Sequence, residues 1–424
     1  MIKKKLELIA PAGNLEKLKI ALAFGADAVY AGIPDFSLRV RINDFDLQKI
    51  SKAKDYCHER GKKLYITTNI FSHNKHLAAL PKYIKELKKI GVDALIIADP
   101  GIISLVKKEW PEVRIHLSTQ ANCTNWLSAK FWYDQGVKRV VLGRETTLEE
   151  IREIKKKVPK LELEYFAHGA MCMAYSGRCF LSKYFLDRSA NLGDCVQPCR
   201  WKYDACSAQH GTRNMEQGFF IREENRKDMA PLEIVEEEHG SYIMNSKDLC
   251  LLPHLKELAE AGVTSFKIEG RAKSVYYQAM VAGVYGYVTH NMGHITQKEI
   301  DYLYKELETK LVHRGYTTGF LFEGKADQNL SETHIKTFWE FCGEVVSGNS
   351  KDKLVRLKVH NTLKVGDEVE LVQPSYEVKK FRLKKMFDEK TGTKIEEAHG
   401  GQDKYFLIEV GFPVGDWGVL RRRV

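Results

Sequence analysis

Four cysteines lie close together in the chain, at a spacing suited to a metal centre. The pattern C-x6-C-x15-C-x3-C is formed by Cys172, Cys179, Cys195 and Cys199. Four thiolates from one loop are the ligand set of a tetrahedral zinc ion or of an iron–sulfur cluster. Structural zinc usually takes closely paired cysteines, whereas iron–sulfur sites accept wider separations. The spacing therefore favours an iron–sulfur site and leaves zinc as the alternative.

Two other uses of these cysteines fit the sequence less well. The stretch is polar and contains glycine, which is unlike a segment whose cysteines fill an apolar core. A redox-active dithiol would be expected as C-x-x-C, and this spacing does not occur in the stretch. The chain has nine cysteines and no signal-like segment among its first residues. We therefore expect a cytoplasmic protein whose thiols bind metal and form no disulfides.

The elements that must hold this loop follow a β/α pattern. Through residue 290, short apolar runs alternate with amphipathic stretches, which indicates a parallel sheet covered by helices. The predicted strands are 6–9, 28–30, 64–67, 94–98, 114–117, 139–142, 163–166 and 265–268. Eight such strands favour a closed TIM-type (β/α)8 barrel over an open doubly wound sheet, which usually begins with a glycine-rich turn.

Polar residues follow several of these strands. Asn69, Asp99 and the segment 118–120 come directly after strands, and some of them are expected to cap helices. A charged group at the same strand ends comprises Arg144, Glu145, His168, Lys267, Glu269 and Arg271. Charges gathered at one rim cost desolvation unless they serve a ligand, so a binding site is predicted where these strands end.

The domain organisation follows from two breaks in the pattern. We predict a barrel over residues 1–300 with a cysteine-rich insertion at 168–250, a helical connector at 301–340, and a small β-barrel at 341–424.

The net charge is +10, and the last domain is rich in basic residues, including the terminal 421–423. This suits a nucleic-acid partner, with a solvated basic face as the alternative. The apolar runs are strand-sized, so no membrane segment is expected.

Several longer motifs resemble the collagenase-like peptidase family U32. They are Leu8-Ile-Ala-Pro-Ala-Gly13, Phe36-Ser-Leu-Arg39, the segments 171–179 and 193–200 around the four cysteines, Met244-Asn-Ser-Lys-Asp-Leu249, and Phe266-Lys-Ile-Glu-Gly-Arg271. The resemblance covers essentially the whole chain. It is strongest to the branch that hydroxylates the wobble uridine of tRNA to 5-hydroxyuridine, with prephenate as the oxygen source. Other members hydroxylate the ubiquinone ring without oxygen and bind a 4Fe–4S cluster through four cysteines.

The resemblance implies a cofactor and roles for named residues. It implies a 4Fe–4S cluster on the four loop cysteines, with Cys250 as an alternative to Cys199, and tRNA and prephenate as partners. Prephenate is a dianion, so cationic side chains are expected to bind its carboxylates. The candidates are Arg144, Lys247, Lys267 and Arg271, with Arg39 and Arg41 in reserve. The catalytic candidates are His168, Tyr175 and Glu269, of which the first two could relay protons or stack on uracil.

Two other activities stay open at this stage. The family name makes a peptidase the first alternative, because His168 lies four residues before Cys172 and a Cys–His pair is available. A metalloprotease would be expected to carry H-E-x-x-H, which is absent. The second alternative is oxygen-independent hydroxylation of another small aromatic compound. A paralogous or homo-oligomeric partner is also left open.

Overall fold

Seven parallel strands follow one another along the chain in the computed structural model. Each pairs with the next, in the order of the sequence. They are β1 (Glu7–Pro11), β2 (Ala28–Gly32), β3 (Lys63–Thr68), β4 (Ala94–Ile97), β5 (Ile115–Leu117), β6 (Arg139–Val141) and β7 (Glu162–Ala170). Nearly all of their side chains are buried, as expected for strands covered on both faces.

An insertion separates β7 from the last strand of the barrel. It contains a three-stranded antiparallel sheet of β8 (Tyr203–Cys206), β9 (Phe219–Glu223) and β10 (Leu232–Ile234). It ends in β11 (Asp248–Cys250), which pairs antiparallel with β7. β12 (Val263–Ile268) then closes the barrel, because it pairs in parallel with both β1 and β7. The predicted TIM-type fold is confirmed.

Helices alternate with the barrel strands. They are α1 (Leu15–Ala23), α2 (Leu47–His58), α3 (Asn74–Leu77), α4 (Leu80–Ile90), α5 (Pro100–Glu109), α6 (Trp126–Asp134), α7 (Leu148–Lys157), α8 (Leu181–Leu186), α9 (Leu255–Ala261), α10 (Val275–His290) and α11 (Gln297–Lys310). Many begin at a polar cap, such as Asn14 of α1, whose side chain accepts from the amide of Lys17. α10 is buried over nearly its whole length, which makes it the central helix of the molecule.

The segment after α11 differs from the predicted helical connector. The helix ends at Lys310, and β13 (Tyr316–Thr317) then pairs with β11, outside the barrel strands. The antiparallel β domain follows, as predicted. Its strands are β14 (Trp339–Gly348), β15 (Leu354–Val359), β16 (Leu363–Lys364), β17 (Glu368–Gln373), β18 (Glu377–Arg382), β19 (Met386–Asp388), β20 (Lys394–Ile395), β21 (Glu397–Ala398), β22 (Tyr405–Glu409) and β23 (Gly418–Arg423).

A buried ion cluster joins this domain to the helices of the barrel. Arg421 is fully buried, and its guanidinium contacts the carboxylates of Glu306 and Glu370 at 2.6 Å each. Lys310 contacts the same two carboxylates at 2.7 and 2.9 Å. Arg422 pairs with acidic side chains as well. Two of the three terminal arginines that suggested a basic surface therefore hold the structure together.

The structure describes residues 6–33, 36–37, 44–172, 174–175, 178–179, 181–192, 194–201, 203–206, 219–223, 232–234, 246–322, 334–348, 354–401 and 404–424. Arg39 and Arg41 lie outside these ranges. Within them, every helix is too short or too polar to span a bilayer.

Candidate active site

A cavity opens at the carboxyl ends of the barrel strands. Its volume is about 180 Å³, which is below the roughly 300–1000 Å³ typical of a pocket for a small ligand. One wall is formed by the four loop cysteines, and another by strand-end residues of the barrel. The cavity therefore places the cysteines beside the polar and charged side chains of the strand ends.

The cysteine wall is held by hydrogen bonds within the loop. Arg188 donates two bonds to the Asp194 carboxylate, at 3.0 and 2.6 Å. Ser182 Oγ accepts from the amide of Val196 at 2.9 Å and donates to the Asp194 carbonyl at 3.3 Å. Gln197, between the last two cysteines, has a left-handed backbone with φ of 57°, which non-glycine residues adopt rarely. The turn is therefore built for a specific geometry.

The environment of the thiols suits a group that binds thiolates. Burial raises the pKa of Cys179, the amide of Leu181 lowers it, and the neighbouring Cys172 and Cys195 raise it further. The amide of Gln197 also lies 3.4 Å from Cys195 Sγ. Amide donors to sulfur stabilise metal-bound thiolate, while repulsion between the thiols disfavours the charged form until a cation is bound.

The four thiols are gathered at one cavity. Among the residues that the structure describes, no group of three His, Cys, Asp or Glu side chains is placed to hold a single metal ion. Cys172, Cys179, Cys195 and Cys199 all line the same cavity and are therefore available to one bound group.

Cys250 and His168 lie away from this cavity. Both contact the hydroxyl of Tyr285, at 3.5 Å from the sulfur and 3.3 Å from Nδ1. Burial raises the pKa of Cys250 to about 11 and lowers the pKa of His168 to about 3. At neutral pH these two side chains are therefore uncharged. The pair considered from the sequence, Cys172 and His168, is divided between two cavities, because Cys172 lines the main cavity and His168 does not. The sequence had placed His168 at the rim, but it lines a second, smaller cavity.

A lysine and an acid meet at the base of the main cavity. Lys267 Nζ lies 2.7 Å from Glu164 Oε1 and 4.2 Å from the centroid of the Tyr30 ring. Burial lowers the pKa of Lys267, and the carboxylate of Glu164 opposes this shift. Glu164 also contacts Arg139, at 3.2 Å, and Arg139 contacts Glu7 at 2.5 Å. An ion-pair chain thus runs from the cavity into the interior of the barrel.

Two arginines of the predicted set also line the cavity. Arg271 lies near Thr67, with 3.3 Å between Nη1 and Oγ1. Gly32 leaves room for this guanidinium, because a Cβ at position 32 would lie 2.5 Å from Nη1. Arg144 lies over the Phe166 ring, at 3.7 Å from its centroid. Arg144, Lys267 and Arg271 therefore bring three cationic groups to one chamber.

A group of neutral polar side chains, which was not among the predicted site residues, completes the cavity. Asn69 Nδ2 donates to Gln120 Oε1 at 2.6 Å, and Ser118 Oγ donates to the same oxygen at 3.2 Å. The nitrogen of the Gln120 amide is buried and has no hydrogen-bond partner. The signal in the sequence was their position directly after β3 and β5, which is equally typical of helix caps.

Of the remaining predicted residues, one lines the cavity and the others lie outside it. Glu269 lines the cavity, and its backbone carbonyl accepts from Tyr277 at 2.7 Å. Lys247 packs its side chain over Gly315, outside the residues that line the cavity. Tyr175 is 69% exposed and also lies outside them. The structure thus brings together the four cysteines, three cations and Glu269, but not His168, Lys247 or Tyr175.

Comparison with known families gives two matches that together span most of the chain. The profile described as "Peptidase family U32" matches residues 13–331. The profile described as "Peptidase family U32 C-terminal domain" matches residues 338–421. The boundary between them falls before β14, where the antiparallel domain begins.

Similar proteins include several that are named for RNA hydroxylation. The "tRNA hydroxylation protein P" of Escherichia coli is 42% identical over 395 residues, which cover 87% of this chain and 86% of that protein. The "tRNA hydroxylation protein P1" of Bacillus subtilis is 39% identical, covering 94% and 90%. The "23S rRNA 5-hydroxycytidine C2501 synthase" of Escherichia coli is 32% identical, covering 76% of this chain and 46% of that protein.

Proposed function

The chain belongs to peptidase family U32, and on this premise we propose that it hydroxylates tRNA rather than cleaving proteins. The proposed reaction converts the wobble uridine to 5-hydroxyuridine, with prephenate as the oxygen donor and a 4Fe–4S cluster as cofactor. The observation that carries the proposal is the cavity itself, in which four cysteines face three cationic side chains and a set of amides.

The cluster would be held by Cys172, Cys179, Cys195 and Cys199. Cys199 is preferred to Cys250 as the fourth ligand, because Cys199 lines the cavity with the other three and Cys250 is buried against Tyr285. When bound, the cluster would supply electron-transfer or Lewis-acid chemistry beside the substrate. The apolar residues around the cysteines, such as Leu181 and Pro198, would limit the access of water.

The cations of the cavity suit a dicarboxylate donor such as prephenate. Arg144 and Arg271 present planar guanidinium groups, which bind carboxylates through two parallel hydrogen bonds. Lys267 adds a third charge, although Glu164 already neutralises part of it. Binding two carboxylates in a buried chamber requires such pairing, because an unpaired buried charge is strongly unfavourable. In this proposal the two arginines therefore hold the donor, and Lys267 orients it.

A role for the C-terminal domain in docking tRNA is part of the same proposal. Its strand β18 carries Lys379, Lys380 and Arg382, and Lys380 is largely exposed although it pairs with Glu370. Contacts of this kind to phosphates release counterions, so the affinity for tRNA should fall steeply with salt. A tRNA affinity that does not change between low and high salt would remove this role.

The experiment that tests the function compares strains. Deletion of the gene, in a strain without a second enzyme of this kind, should remove 5-hydroxyuridine derivatives from digested tRNA, and the wild-type gene should restore them. A strain unable to make prephenate should show the same loss. If the deletion strain keeps its hydroxylated wobble uridines, the tRNA proposal fails, and hydroxylation of another small aromatic compound becomes the next candidate.

A peptidase is the less favoured alternative. Its predicted pair is not assembled, since Cys172 lines the main cavity whereas His168 is buried in a second one, where burial keeps the imidazole uncharged at neutral pH. A protease of this family should nevertheless cleave casein or gelatin without iron, so the purified protein can be assayed directly for that activity. Cleavage that persists after substitution of Cys179, Cys195 or Cys199, and so without the cluster, would favour the peptidase.

A further inference from the structure

We propose that the side-chain amide of Gln120 reads the target base, by donating a hydrogen bond to O4 of uracil. This inference rests on the proposed function and names the residue that selects uridine over cytidine. O4 is attached to the carbon next to C5, so a hydrogen bond there would also fix the position of the carbon to be hydroxylated.

The Gln120 amide offers an unpartnered donor at the lining of the cavity. Gln120 follows β5 directly, lines the cavity and is only 2% exposed. Its carbonyl oxygen accepts from Asn69 Nδ2 and from Ser118 Oγ. These two donors fix the orientation of the amide, and its buried nitrogen is left with no partner in the protein. Buried donors are almost always satisfied, so this nitrogen is suited to an acceptor that arrives with the substrate.

The chemistry of the surroundings favours a neutral carbonyl over a carboxylate. The partners of Gln120 are an amide and a hydroxyl, whereas the cavity offers carboxylates three cationic groups elsewhere. Charge-assisted bonds to arginine are roughly twice as strong as neutral ones, so a carboxylate should choose the arginines. The neutral acceptors of the two ligands are then the keto group of prephenate and the carbonyl groups of the pyrimidine. We assign the pyrimidine to Gln120, and the KM for prephenate tests the other choice.

A donor at this position discriminates between the two pyrimidines. Uracil presents the O4 acceptor, whereas cytosine presents an amino group, which is itself a donor. With cytosine the buried nitrogen of Gln120 would face another donor, so the amino group of cytosine would give up its bonds to water without gaining a partner. A site built to hydrogen-bond one group strongly rejects a ligand that lacks it. We expect a preference for uridine of at least roughly tenfold to a hundredfold from this contact.

The test changes the donor into an acceptor. Gln120→Glu retains the shape and the oxygen that Asn69 and Ser118 contact, but offers cytosine an acceptor for its amino group. Full-length protein is supplied with prephenate and with two tRNA transcripts that differ only by uridine or cytidine at the target position. Nucleoside mass spectrometry then measures both hydroxylated products. Gln120→Glu should lower the ratio of hydroxylated uridine to hydroxylated cytidine at least tenfold.

A second variant covers the case in which the buried carboxylate prevents folding. Gln120→Asn withdraws the donor by one methylene group and should slow hydroxylation of uridine at least tenfold, with the KM for prephenate unchanged. Gln373→Leu is the matched control, because Gln373 is a buried glutamine of the β domain, and it should leave the uridine-to-cytidine ratio as in the wild type.

The outcomes separate the inference from the function on which it rests. If the wild type hydroxylates the uridine transcript but the variants keep its base ratio and rate, the inference is overturned while the proposed function stands. A raised KM for prephenate in Gln120→Asn, with the rate at saturation unchanged, also overturns it, because the amide would then serve the donor. If the wild type hydroxylates neither transcript, both proposals fail together.

Discussion

Gly32→Ala should disable the cavity without removing any of its functional groups. A Cβ at this position would lie 2.1 Å from Ser37 Oγ and 2.5 Å from Arg271 Nη1. Ordinary contact begins near 3.4 Å, so the guanidinium must retreat by about 0.9 Å. Misplacing a binding group by about 1 Å can lower the rate on the order of a hundredfold. Packing an extra methyl group should also destabilise the fold by about 1–3 kcal/mol.

The assay measures the hydroxylated uridine that each variant forms per tRNA, together with its iron content and its urea unfolding. Gly293→Ala is the control, since a Cβ there meets no atom within 4 Å. In a double-mutant cycle, Gly32→Ala should add little to Arg271→Lys, because both changes act through one guanidinium. Wild-type activity in Gly32→Ala, or full additivity in the cycle, would refute the assigned role of Arg271.

Three further predictions concern the cluster, acid stability and the domain junction. Alanine at any of the four loop cysteines, for example Cys172→Ala, should abolish iron and acid-labile sulfide in anaerobically prepared protein, whereas Cys250→Ala should keep both. Because the pKa of His168 is about 3 in the folded protein and ordinarily 6.5, only the unfolded chain binds a proton between these values. The free energy of unfolding should therefore fall as the pH drops from 6.5 towards 3, and His168→Phe should reduce that slope in urea titrations. Arg421→Met should lower the free energy of unfolding by about 3–5 kcal/mol, because it leaves buried carboxylates underpaired, while Arg423→Met at the exposed neighbouring position should stay within about 0.5 kcal/mol.

The barrel strands could be predicted because their signal is local. A strand covered on both faces is an apolar run of a few residues, and the predicted run at 94–98 differs from β4 (Ala94–Ile97) by one residue. The polar residues at the strand ends could also be predicted as a group, since parallel strands place them at one rim. Arg144, Lys267 and Arg271 were found in this way, and the structure brings all three to the cavity.

The features that the sequence did not predict depend on contacts between residues that are distant in the sequence. The strand predicted at 163–166 continues to Ala170, because β11 pairs with its last residues. This pairing encloses His168 among tyrosines instead of leaving it at the rim. Gln120 looked like one of several strand-end polar residues, and only its partners from β3 and β5 distinguish it. No local sequence pattern encodes a contact between side chains that follow different strands.

The ion-pair chain below the cavity limits which residues of the barrel interior can be substituted one at a time. Lys267 shares Glu164 with Arg139, and Arg139 shares Glu7 with Tyr65. Replacing any one of the charged side chains leaves an unpaired charge in the interior, so these residues can be substituted only together. The buried neutral group of Asn69, Ser118 and Gln120 differs, because a substitution there leaves a hydrogen-bonding group unpaired but no charge. If Gln120 reads the base as we propose, single substitutions in this group would alter the base specificity and leave the ion-pair chain intact.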